Sequence, residues 1–69
     1  MKKISELRAQ NENMSQRELA EAINVTQASI SRWETNQLSI SGANLIKLAT
    51  YFQVTADELL GIEEETQNN

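Results

Sequence analysis

Gln16–Arg17–Glu18–Leu19–Ala20–Glu21–Ala22–Ile23–Asn24–Val25–Thr26–Gln27–Ala28–Ser29–Ile30–Ser31–Arg32–Trp33–Glu34–Thr35 is the stretch whose spacing decides the architecture. Leu19 and Ile23 are four residues apart, and Ile30 and Trp33 are three apart, so each pair lies on one face of a helix. Asn24 stands between the two segments. Of the non-glycine residues, Asn tolerates the left-handed backbone best, so it can end the first helix. Thr26 can cap the second through its hydroxyl. Two short helices joined by so tight a turn make a helix-turn-helix. Small Ala20 fits, because helices that cross this close to their turn leave no room for a larger side chain.

Outward from that pair, the rest of the chain also reads as helix. Met1 to Asn11 forms an expected first helix with Ile4 and Leu7 inward, and Met14 is a core residue at the entry to the second. Ser15 and Glu18 form a capping box for that second helix, and Thr55 and Glu58 form another for a short fifth. Ser41 is placed to cap a fourth helix running to about Phe52, with Leu45, Leu48, Ala49 and Phe52 inward. Lys47 and Tyr51 are outward or marginal on it. Leu59 and Leu60 close the core, Gly61 ends the last helix, and Val54 can staple its start.

Composition narrows the function. A chain of 69 residues is one domain near the lower limit for a stable core. It has no Cys and no His, which removes disulfides, most transition-metal sites and most nucleophilic chemistry. Neither a Gly-rich loop nor a convergent carboxylate pair stands out, so an enzyme, a cofactor and a small-molecule substrate are not expected. No apolar run approaches the roughly 20 residues that span a bilayer, and no signal-peptide pattern opens the chain, so a cytoplasmic protein without a membrane partner is expected. The net charge is −4, but it is unevenly spread. Up to Ala56 six cations face five acids, while Asp57 to Asn69 holds five acids and no cation. The domain proper spans residues 1–61, and 62–69 is an acidic, polar tail expected to be disordered.

With Ile30 and Trp33 turned to the core, Gln27, Ala28, Ser31 and Arg32 fall outward on the helix from Thr26 to Thr35. Gln can take adenine N6 and N7 together, Arg can take guanine O6 and N7, and Ala can pack on a thymine methyl. Ser29 and Ser31 are short enough for the axis to approach a groove floor. Arg32 also sits toward the far end of the helix, where it can reach back to a phosphate instead. A helical hairpin without a DNA role would explain the apolar spacing but not these polar choices.

The motif Ser15–Gln16, Leu19–Ala20, Val25–Thr26–Gln27 and Ile30–Ser31–Arg32–Trp33–Glu34 resembles the helix-turn-helix of the phage repressor and Cro family, the XRE-like regulators. The likeness runs from about Ile4 to Gly61. It implies an all-α, five-helix, lambda-repressor-like DNA-binding domain with the motif in helices 2 and 3. The implied function is a sequence-specific transcriptional regulator, with repression expected, bound to a double-stranded DNA operator as a homodimer. In the family the start of the second helix points at a phosphate, a physically sensible use of its free amides and dipole. That makes Ser15, Gln16 and Arg17 candidate phosphate contacts. The family usually has Gly where Asn36 stands, basic residues nearby and Pro where Ile40 stands. Asn36 can adopt the same left-handed turn, leaving Asn36 and Gln37 as the loop's candidate phosphate contacts. Leu38, Ile40 and Ile62 are candidate dimer contacts.

Arg8 lies one residue further from the Ser–Gln start than is usual. In the family that Arg often pairs with the Glu ending the recognition helix, here Glu34, and a solvated Arg8 is the alternative. With only +1 over residues 1–56, a protein-interaction module on the same scaffold, an antitoxin or anti-repressor, is the competing function.

Overall fold

Ile4, fully buried, begins the first helix, α1 (Ile4–Gln10), three residues later than its sequence suggests. Met1–Lys3 serve the far end of the chain instead. The Lys2 N–H donates to the Glu58 carbonyl at 2.8 Å, and Met1 lies against Gly61. The protein is described over residues 1–62 by a computed structural model. Apart from Ile62, the expected disordered tail therefore lies outside the described residues.

After α1 the chain turns through Glu12 and Asn13, both left-handed at φ 57° and 55°. Such a backbone costs a non-glycine residue about 1–2 kcal/mol. This turn absorbs the additional residue between Arg8 and Ser15. α2 (Gln16–Ile23) opens on the full capping box: Ser15 Oγ accepts the Glu18 N–H at 3.0 Å, and Glu18 Oε1 accepts the Ser15 N–H at 2.8 Å. It closes at Asn24, left-handed as expected (φ 61°, ψ 51°), where the Val25 N–H returns to the Ala20 carbonyl at 2.9 Å. α3 (Gln27–Thr35) follows at once, capped by Thr26 Oγ1 on the Ser29 N–H at 3.1 Å.

Four expectations fail from here to α4. Asn36 is extended (φ −148°, ψ 93°) rather than left-handed. Its side chain instead accepts the Leu38 N–H at 3.2 Å and starts a 3-10 turn, Gln37–Ser39, where a plain loop was expected. Ser41 stands at the start of α4 (Gly42–Phe52) but does not cap it, since its Oγ accepts from the Asn44 side chain at 3.1 Å. Ile40 is only 6% exposed and belongs to the core, which removes it from any dimer surface. α4 ends at left-handed Gln53, and α5 (Ala56–Leu60) opens on the Thr55–Glu58 capping box. Gly61 then takes φ 78°, a backbone that favours glycine, and a Cβ there would press on Met1 Cβ at 3.2 Å.

Each helix gives the core one fully buried aliphatic: Ile4, Leu19, Ile30, Leu48 and Leu59. Ala20, Ile23, Trp33 and Ile40 complete it, with half-buried Leu7, Met14, Leu45 and Phe52 packed around. The architecture is all-α with five helices, and α2 packs on α3 as the helix-turn-helix.

Candidate nucleic-acid interface

The start of α2 is built on a carboxylate. Glu34, in the last turn of α3, receives Arg8 Nε at 2.6 Å and Arg8 Nη2 at 3.0 Å, a two-pronged match of guanidinium to carboxylate. Arg8 Nη1 also donates to the Met14 carbonyl at 2.8 Å, fixing the α1–α2 turn. Burial pushes the Glu34 carboxyl up. The bonds from Arg8 and Gln16, with the Arg8 charge, outweigh that and leave it below the ordinary glutamate range. Hydrogen bonding to Glu34 holds the Arg8 guanidinium above its ordinary value, against the opposing pull of burial. Arg8 is thus a paired structural charge, not a solvated one, and it adds nothing to the outer field.

Gln16 Nε2 donates to the same Glu34 Oε1 at 3.0 Å. Its amide is therefore partly committed to the protein, leaving its carbonyl oxygen and one N–H for an outside partner. Arg17 is well exposed, and its Nε meets Glu21 at 3.4 Å. Exposed pairs of this kind contribute about 0–1 kcal/mol, so Arg17 is readily given to a phosphate. With Ser15 occupied as the cap, the first free N–H groups of α2 complete this shoulder of the surface.

Along α3, each residue turns about 100° from the last. With Ile30 and Trp33 buried, Ala28 and Thr35 point almost directly outward. Ser31 lies to one side of that stripe with Gln27 beyond it, toward Glu34 and α2. Arg32 lies to the other side, toward α4. All four residues chosen from the sequence are exposed and share this surface. Thr35 was missed. It lies one turn beyond Ser31, and its Oγ1 donates to the Ser31 carbonyl at 3.2 Å, so the four-residue step was the available signal.

On the α4 side runs a cleft of about 540 Å³ lined by Ser29, Arg32, Asn36, Ser39, Ser41 and Asn44 among others. Asn36 is exposed there and keeps its amide N–H groups free to donate outward, since only its Oδ1 serves the turn. Gln37 is a correction. It is 6% exposed, and its side chain is spent inside: Oε1 accepts the Ile4 N–H at 2.7 Å, while Nε2 donates to the carbonyls of Leu59 at 2.8 Å and Lys2 at 3.0 Å. It cannot reach a phosphate.

Leu38 and Ile62 are exposed, and Met1, which the sequence did not single out, shares a depression with each. A second apolar face joins an outward residue to one the sequence did not place: Tyr51, exposed as expected, and Ile46 stand on α4 beside Ala22 and Asn24. Ile46 directly follows the inward Leu45, so helix rotation carries it off the buried stripe. Among the described residues no cluster of His, Cys, Asp or Glu is placed to hold a metal, and no helix is long and apolar enough to cross a membrane.

A family model described as helix-turn-helix matches residues 4–59. The chain is also similar to an HTH-type transcriptional activator, BcrR, of Enterococcus faecalis, at 37% identity over 71 aligned residues. That similarity takes in 96% of this chain and 34% of the relative, so the chain spans about a third of the length of the curated protein it matches. No solved structure matches it.

Proposed function

As the chain belongs to the helix-turn-helix family over residues 4–59, we propose that it is a sequence-specific DNA-binding transcription regulator that lays α3 in the major groove. The observation that carries this is the outward face of α3: short, polar and exposed, with the start of α2 on one shoulder and a polar cleft on the other. Gln27 takes an adenine edge, Ala28 a thymine methyl, and Ser31 a hydrogen bond to either kind of base. Ser15, Gln16 and Arg17 hold a phosphate at the α2 shoulder, and Asn36 serves the opposite one. Occupying the groove denies those base pairs to other proteins, so the domain represses wherever its operator overlaps a promoter.

One α3 with so little positive charge around it binds weakly, so the working form on DNA is a homodimer. Leu38 lies three residues beyond the end of α3, and exposed Met1 shares one depression with it and another with Ile62. Two copies joined there present both recognition helices to the same side of a duplex. Selection from a random duplex pool should return a near-palindrome whose half-sites lie about 34–36 Å apart, both protected in a footprint. Protection of a single half-site by one protein would defeat the dimer, and no enrichment at all would defeat the DNA role.

A further inference from the structure

Arg32 faces the cleft, and the cleft is short of charge. Between Asn36 and Ile46 the chain has no Lys and no Arg, and none of the residues lining the cleft is acidic. Arg32 is the one cation there. Its guanidinium leans away from the outward stripe: Nη2 lies 3.5 Å from Ser29 Oγ, on the flank of α3 nearest α4. Ser29 Oγ already accepts the Thr26 hydroxyl at 2.9 Å, so its own proton is left to donate into the cleft. Ser41 does not cap α4, which leaves further N–H groups at the same place. A helix lying in the major groove has a sugar-phosphate backbone on each side. The start of α2, with Gln16 against Glu34, takes one side, and the Arg32 flank takes the other.

We infer that Arg32 holds a backbone phosphate of the second strand at the α3–α4 cleft and does not read a guanine. The inference rests on the DNA-binding role proposed above. Base reading then falls to Gln27, Ala28 and Ser31, and the operator carries no guanine requirement set by Arg32. The cleft offers what a phosphate needs: one guanidinium and several hydroxyl and amide donors, without an opposing carboxylate.

The test compares Arg32→Ala and Arg32→Lys with the wild type, on a duplex the wild type selects and on a scrambled duplex of equal length. Arg32→Ala should weaken binding by about tenfold or more per protomer on both duplexes, as expected for a hydrogen bond to a charged group. It should also flatten the salt slope by about 0.9 per protomer. Arg32→Lys should retain most of the affinity on both, since a phosphate accepts a point charge. A methylphosphonate placed at each position in turn should find one neutralised phosphate per half-site that weakens the wild type and leaves Arg32→Ala unaffected. A loss confined to the selected duplex, with relaxed preference at one guanine, overturns the inference while leaving the DNA role intact. Wild-type protein that binds neither duplex overturns the DNA role, and this inference with it.

Discussion

Replacing Trp33 by alanine is expected to leave the protein largely unfolded near its normal melting range. Trp33 is 4% exposed, and it packs in the core between α3 and the rest of the domain. Removing a buried aromatic of that size costs about 3–5 kcal/mol, part from lost transfer and part from the cavity left behind. Native domains hold about 5–15 kcal/mol, and a chain this small sits toward the lower end. At about 4–8 °C per kcal/mol for a domain of this size, the midpoint should fall by about 12–40 °C. A thermal melt followed by circular dichroism decides it. A cooperative transition within a few degrees of the wild type would place Trp33 at the surface and put the phase of α3 in error.

Gln37→Ala is expected to lose nearly as much, through a different mechanism. The side chain bridges three parts of the chain that are distant in sequence: the start of α1, the segment before it, and the end of α5. Its removal leaves the Ile4 N–H and the Leu59 carbonyl buried without partners. Each such group costs about 1–3 kcal/mol, so the variant should be destabilised by about 2–6 kcal/mol. Denaturant unfolding should show a lower midpoint with little change in slope. Under the phosphate-contact role that the loop position implies, the opposite would be seen: unchanged unfolding and weaker DNA binding.

Gln37 also shows where sequence reading stops. The fold was legible wherever a local pattern carried it. Ser15 with Glu18 and Thr55 with Glu58 announce two helix starts at fixed offset, and Leu19, Ile23, Ile30 and Trp33 set the phase of the motif. The 36–41 segment has no period, so nothing local distinguishes buried Gln37 from exposed Leu38, or core Ile40 from a surface residue. Burial there depends on contacts more than twenty residues away, which spacing cannot show. The left-handed Glu12 and Gln53 were missed for a similar reason, because neither residue type favours that backbone and tertiary packing imposes it. The Arg8–Glu34 pair was visible only through the family resemblance, since 26 residues separate the two. On α3 the helical phase placed all four chosen residues outward, and all four are exposed.

The most direct measurement is the salt dependence of affinity for a random-sequence duplex. If Arg17 and Arg32 of both protomers each neutralise a phosphate, log K should fall against log salt concentration with a slope of about −3.6. Arg8 adds nothing to that figure, because Glu34 already holds it. Binding that is absent at low salt, or a slope near zero, would contradict the DNA role. It would point instead to a protein-interaction module using the exposed Ile46 and Tyr51 face.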